Sequence, residues 1–214
     1  MVSIMTIARA RTAISDVVCP FDRAGERVWS ALRPKLQLSR DMASARRRER
    51  FARNILNAQL PKPARYLEIG SFEGGSLAFV HSLLGGQMIA TSIDPFEDYD
   101  ELRAHKMQSV EQRFHANMQA NGIDVRTLRG SSIDRLPPLV SQGEAFDLIY
   151  IDGSHAALDV MTDAILCWRL LAKGGLMIFD DYRDFECRPA IDAFVRLVDA
   201  KIVDVASQVF LRKL

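Results

Sequence analysis

Short apolar runs recur along this chain at intervals wide enough to hold a helix between them, and that alternation settles the class of fold. From Tyr66 onward the runs are Tyr66-Leu67-Glu68-Ile69, Gln87 to Ile93, Asp124 to Leu128, Phe146 to Ile151 and Leu176-Met177-Ile178-Phe179. Between them lie segments of helical period, from about Gly74 to Leu84, Ser109 to Ala120 and Ala156 to Leu171, the last closed by Lys173-Gly174-Gly175. Runs that are apolar on both faces suit the central strands of a parallel sheet, because helices cover both sides of it. After Pro189 comes one more helix, then Lys201 to Val205 and Gln208 to Arg212, two runs too close together for a crossover. They are expected to pair antiparallel. The fold class that follows is α/β: a Rossmann-like, doubly wound, seven-stranded sheet, mostly parallel, with an antiparallel C-terminal hairpin and N-terminal helices.

Residues 1–62 read differently. They look helical, are rich in arginine and end at Pro61-Lys62-Pro63, which divides the chain into an N-terminal helical cap, 1–62, and an α/β domain, 63–214. The run Arg46-Arg47-Arg48-Glu49-Arg50 reads as a solvated helix face, with an acidic partner as the other reading. The cap is expected to cover the mouth of a site or to form a homodimer contact.

The 28 basic and 27 acidic residues leave a net charge of +1, which gives no overall case for nucleic acid or a membrane surface. Cys19, Cys167 and Cys187 are scattered without metal-finger spacing and read as reduced thiols. No stretch approaches the roughly 18 consecutive apolar residues of a membrane span. The start, Met1-Val2-Ser3-Ile4-Met5, lacks the charged opening of a secretory signal, so the expected location is cytoplasmic.

Three constellations carry chemistry. The first is strand, glycine turn and helix, Glu68-Ile69-Gly70-Ser71-Phe72-Glu73-Gly74-Gly75-Ser76, followed by Asp94-Pro95 at the end of the next strand. Glycines let the backbone approach a ligand at a helix N-terminus, and an acid at the second strand's end suits a ribose diol. The glycines fall at 70, 74 and 75 and miss the Gly-x-Gly-x-x-Gly fingerprint of dinucleotide enzymes. Glu73 would repel a pyrophosphate, whereas a cationic sulfonium tolerates it. The second is Asp152-Gly153-Ser154-His155 with Asp180-Asp181-Tyr182, after neighbouring strands. Converging carboxylates repel one another unless a cation or protons intervene. A magnesium ion held by Asp152, Asp180 and Asp181 would serve, and His155 is placed to take a proton or orient a substrate. The other reading has Asp152 and Asp181 capping the helices that follow. The third is Arg129-Gly130-Ser131-Ser132, which suits an adenine edge or a simple helix cap.

At these residues the sequence resembles the class I S-adenosylmethionine-dependent methyltransferases, in particular a small bacterial group with Glu-Ile-Gly-Ser-Phe-Glu-Gly, Ile-Asp-Gly-Ser-His and Phe-Asp-Asp-Tyr motifs. It is similar, more distantly, to the catechol and macrocin O-methyltransferase type. The resemblance runs from about Tyr66 to Tyr182 and through the terminal hairpin. It implies that Glu68, Gly70, Ser71 and Ser76 hold the methionine part of S-adenosylmethionine, Asp94 the ribose, and Ser132 with its neighbours Gly130 and Ser131 the adenine, with Phe72 and Pro95 also at the cofactor. Asp152 would serve both cofactor and catalysis. Asp152, Asp180 and Asp181 correspond to the metal positions of the metal-dependent members. Asp181 departs from the Asn frequent there, and His155 stands where those enzymes carry a catalytic Lys.

The leading expectation is methyl transfer to a hydroxyl of a small molecule, sugar or natural product. The alternatives are an NAD(P)-dependent oxidoreductase, disfavoured by the glycine spacing and the hairpin, and a non-catalytic cofactor-binding protein. The acceptor pocket is expected from the N-terminal helices, the segment Phe96 to Asp100 and the loop after Tyr182.

Overall fold

The computed structural model describes residues 23–39, 41–96 and 104–214. Residues 1–22, with Cys19 and the proposed absence of a signal, and residues 97–100 of the expected acceptor segment lie outside that range.

Two helices open the described chain, α1 (Ala24–Leu32) and α2 (Ala45–Asn57), with one 3-10 turn, Arg33–Lys35, after the first. Then follow β1 (Ala64–Ile69), α3 (Gly75–Leu83), β2 (Met88–Asp94), α4 (Ala104–Ala120), β3 (Val125–Arg129) and α5 (Ser132–Ser141). The second half is β4 (Phe146–Ile151), α6 (Ala157–Leu170), β5 (Leu171–Phe179), α7 (Cys187–Leu197), β6 (Ala200–Val205) and β7 (Val209–Lys213).

The seven strands lie in the order β3-β2-β1-β4-β5-β7-β6, parallel except for β7, which pairs antiparallel with both β5 and β6. The expected hairpin is therefore present, and it forms the sheet edge. Chain progression runs outward through β2 and β3, then jumps back to β4 beside β1. That reversal is the switch point at which open α/β sheets bind ligands, beyond the strands' C-terminal ends.

Strand alternation divides the core in two. Tyr66, Leu148, Tyr150, Ile178 and Phe210 face one layer, with Trp29, Phe51, Ile55, Phe79 and Phe114 from α1, α2, α3 and α4. Leu67, Ile149, Met177 and Phe179 face the other, with Leu136, Ala164, Leu170 and Phe194 from α5, α6 and α7. Phe51 joins α2 to the sheet: its ring meets those of Phe79, Tyr150 and Phe210 at 6.2, 5.2 and 6.3 Å. At 1% exposure this one side chain contributes roughly 1.5–3 kcal/mol of burial.

Two local expectations differ. Lys173-Gly174-Gly175 does not follow a helix end; α6 stops at Leu170, and these residues lie within β5, whose pairing with β4 shifts register between Phe146 and Leu148. Gly174, at φ +75°, provides the backbone freedom that this irregular start needs. The segment that Ser131 or Ser132 was expected to cap does not end before Pro137-Pro138 either. A ten-residue helix runs through both prolines, with Ser131 in the N-cap position.

Candidate active site

Three loops meet at the switch point. Beyond the last paired residues, the amide of Gly70 donates to Ile93 O at 2.9 Å, that of Asp152 to Ile69 O at 2.9 Å, and that of Asp180 to Ile151 O at 3.0 Å. These bonds extend the ladder past the strands and fix the loops against one another. Gly70 has φ +82°, and a Cβ there would lie 2.1 Å from Asp152 O. Only glycine allows the β1 and β4 loops to approach this closely.

The cleft above them is about 810 Å³. That lies inside the range of roughly 300–1,000 Å³ for small-molecule sites. Of the residues predicted from sequence, Gly70, Phe72, Asp94, Pro95, Ser131, Ser132, Asp152, His155, Asp180 and Asp181 line it. Glu68, Ser71, Ser76 and Gly130 do not. Glu68 is fully buried beneath the loop, where it accepts from Ser76 Oγ and, at 3.2 Å, from Ser71 Oγ. Burial pushes its carboxyl up to about 8, with Asp152 and Asp94 adding to the rise and the two serines opposing it.

Asp94 lines the cleft at the end of β2. Its Oδ2 accepts from the Phe72 amide at 2.8 Å and its Oδ1 from the Phe96 amide at 2.7 Å. Burial raises its pKa, and these amides work against that rise. The Ser71 amide also bonds this carboxylate, and of its roughly four acceptor sites about one remains for a ligand donor.

Glu73 has a different task from the one inferred. Its side chain turns away from the cleft, is 1% exposed, and accepts from the Ser39 amide at 2.7 Å and from Arg113 Nε at 2.6 Å. It fastens the N-terminal region to α4 and has no part in selecting the charge of a ligand.

At the other end lies the acid cluster. Oxygens of Asp152, Asp180 and Asp181 all fall within 4.8 Å of one another. The helix-cap reading of Asp152 and Asp181 does not hold, since the N-cap positions of α6 and α7 are Ala156 and Glu186, neither with a side-chain cap bond. Asp180 accepts from Tyr150 OH at 2.5 Å and from the Asp181 amide at 2.7 Å. Burial raises Asp152 to about 7; the neighbouring Asp181 adds to the rise and Arg47 opposes it. His155 stands at the rim with Nε2 3.0 Å from Asp181 Oδ2 and Nδ1 3.4 Å from Asp184 Oδ2.

Arg47 is what the sequence reading missed. The arginine run is not a solvated face, and three of its members are taken up within the chain. Arg47 Nη2 is ion-paired with Asp180 and lies 4.0 Å from Asp181. Arg48 Nε bonds Glu26 at 2.6 Å while its guanidinium covers the Trp29 ring at 5.0 Å. Arg50 pairs with Asp204. Only Arg46, which is exposed, resembles the expected face. Position 47 stands four before Phe51 and eight before Ile55, so the helical period already placed it on the buried side of α2.

The oxygen donors of the acid trio have the chemistry for magnesium. With Arg47 seated on Asp180, and Tyr150 OH and the Asp181 amide on the same carboxylate, the trio does not fit the ion as well.

Two more acids were missed. Asp163 on α6 lines the cleft, is 2% exposed, and its Oδ1 has no hydrogen-bond partner. Asp184 reaches the site only through His155. The N-terminal region contributes Asp41 and Met42 to the lining, as the expected cover of the mouth requires. Residues 182–186 after β5 do not line it, because Tyr182 is buried and its amide bonds Ser207 O at 2.9 Å.

Residues 67–182, more than half of the chain, match the family described as "Methyltransferase domain". The chain belongs to the methyltransferase-domain family. An uncharacterized protein of Acanthamoeba polyphaga mimivirus is 29% identical over 157 residues, 70% of this chain and 65% of that protein. An O-methyltransferase of Aspergillus hancockii is 31% identical over 121 residues, covering 56% and 43%. The matched segments thus span less than two thirds of either relative. The crystal structure of the O-methyltransferase TomG from Streptomyces achromogenes, in complex with SAM, superposes with a TM-score of 0.60 at 15% identity, over 98% of this chain and 96% of that one. The likeness shows that this chain has the same fold.

Proposed function

We propose that this methyltransferase binds S-adenosylmethionine across the switch point and transfers its methyl group to a hydroxyl of a small acceptor, such as a sugar or natural product. The observation that carries the reading is that one cleft is lined both by Gly70, Asp94 and Ser132 and by Asp152, His155 and Asp181. The first set suits a nucleoside; the second can receive a proton. TomG's complex with SAM and the Aspergillus hancockii O-methyltransferase support both halves.

In this reading His155 is the base. A neutral imidazole has a single N–H, so it can donate to only one of its two carboxylates. Asp184 at Nδ1 is the orienting partner, which leaves Nε2 free of a proton once an acceptor hydroxyl displaces Asp181. The acceptor oxygen attacks the methyl carbon, the carbon–sulfur bond breaks toward sulfur, and the hydroxyl proton passes to Nε2. The products are the methyl ether, S-adenosylhomocysteine and a protonated His155. The protein's main contribution is alignment of the reacting atoms. Glu68 with Ser71 and Ser76 supports the glycine loop from below. The magnesium ion allowed by the sequence has no step here.

The test uses methyl-deuterated cofactor, a panel of hydroxylated acceptors and mass spectrometry. Labelled methyl ethers with stoichiometric S-adenosylhomocysteine support the reading. Cofactor binding without any transfer would favour a non-catalytic binding protein, and hydride exchange with NADH would favour the oxidoreductase.

A further inference from the structure

Three close carboxylates repel one another unless a cation or protons intervene. In this chain an element of the fold delivers one. Arg47 lies in the first turn of α2, where Ser44 Oγ accepts from its backbone amide at 3.4 Å. The helix is fixed at two further points. Phe51 is inserted between α3 and the sheet, and Arg50 Nε reaches Asp204 Oδ2 at 2.6 Å. The Arg47 guanidinium therefore arrives on a packed helix, partly buried, ion-paired with Asp180 and 4.0 Å from Asp181. Asp180 is then crowded with N–H and O–H donors: Arg47 and the Asp181 amide on Oδ1, Tyr150 OH on Oδ2. A divalent ion bridging Asp180 to Asp152 would have to expel the guanidinium.

We infer that Arg47 is the resident cation of the Asp152–Asp180–Asp181 cluster, taking the place of a divalent metal, so that the cleft works without one. This deepens the methyltransferase reading of the same cleft, but its readout does not depend on turnover. An arginine is always charged at working pH. It balances the acids permanently and makes the seating of the N-terminal helices a condition for a competent site.

The experiment measures Mn2+ binding to the full chain by electron paramagnetic resonance, comparing the unmodified protein with Arg47→Met, Arg47→Lys and the double variant Arg47→Met/Asp180→Asn. Circular dichroism verifies folding, and S-adenosylhomocysteine binding is recorded in parallel. The expected result is no site-bound Mn2+ in the unmodified protein or in Arg47→Lys. Arg47→Met should gain a site at least about tenfold tighter, and the double variant should lose it. Chelation by EDTA should leave S-adenosylhomocysteine affinity unchanged. Mn2+ binding by the unmodified protein as tight as by Arg47→Met would overturn the inference. So would failure of folded Arg47→Met to bind the ion. Absence of S-adenosylhomocysteine binding would instead count against the methyltransferase cofactor while leaving the Mn2+ comparison intact.

Discussion

Arg50 on α2 and Asp204 on β6, 154 positions apart, share a two-pronged ion pair that Asn54 Nδ2 completes at 2.8 Å from Asp204 Oδ2. Through it the last hairpin of the sheet holds the helix that carries Arg47 into the acid cluster. Asp204→Ala leaves Arg50 and Asn54 without their acceptor, at an expected loss of about 3 kcal/mol in urea unfolding. The pH dependence has a definite sign. Burial works against ionised Asp204, yet Arg50 and Asn54 hold its pKa below the usual carboxylate value. Its stabilisation is therefore present above the unfolded-state pKa and is lost as pH falls through the lower folded one. The acid limb of the stability curve should flatten in the variant. An unchanged acid limb would show that the pair has no such role.

Gly70 and Gly85 offer a matched comparison. Both have positive φ, +82° and +63°, but a Cβ at Gly70 meets Asp152 O, while at Gly85 nothing lies within 4 Å. Gly85→Ala should cost about 1 kcal/mol and leave ligand binding alone. Gly70→Ala should cost more and abolish S-adenosylhomocysteine binding in calorimetry. Equal effects from the two would mean that the loop contact does not matter.

Asp163 should trade stability for binding. Burial raises its pKa to about 6, and a buried carboxylate with an unpaired oxygen is unfavourable at neutral pH. Asp163→Asn is expected to raise the melting temperature at pH 8 and to weaken S-adenosylhomocysteine binding several-fold, since the amide keeps one acceptor oxygen, for Ser132, and presents an NH2 donor where the unpaired oxygen stood. A lower melting temperature with unchanged affinity would make Asp163 a purely structural residue.

Asp152 is expected to set a pH window for cofactor binding. With its pKa near 7 from burial and Asp181, it is neutral below that value and anionic above it. Affinity for the cationic cofactor should rise as pH climbs from 6 to 8, and Asp152→Asn should be flat there. Folding stability moves the other way: a raised pKa means the folded state keeps a proton that the unfolded state has lost, so this group's contribution declines as pH rises from the unfolded carboxylate value of about 4 to about 7 and is level above that.

The parallel sheet was readable from sequence because Phe146 to Ile151 and its companions are apolar on both faces, a demand that only a strand between two helix layers meets. The hairpin was readable from the short spacing of its two strands. Boundaries were harder where backbone freedom intervened, as at Gly174, where a stop signal lies inside β5. In the site, the lining acids after β4 and β5 were found because loops at strand ends carry them. Arg47 was misread because a basic run resembles a solvated face unless its offset from Phe51 and Ile55 is counted. Asp163 went unnoticed although it shares the buried face of α6 with Val160, Ala164 and Cys167. Glu73 was assigned to the ligand by position, and only three-dimensional contacts reveal its bond to Arg113.

The most direct measurement of the cofactor assignment is calorimetric titration of the full chain with S-adenosylhomocysteine and, separately, with NADH. Saturable one-to-one binding of S-adenosylhomocysteine, weakened by Asp94→Ala, and no heat from NADH are predicted. Saturable NADH binding with none of S-adenosylhomocysteine would contradict it.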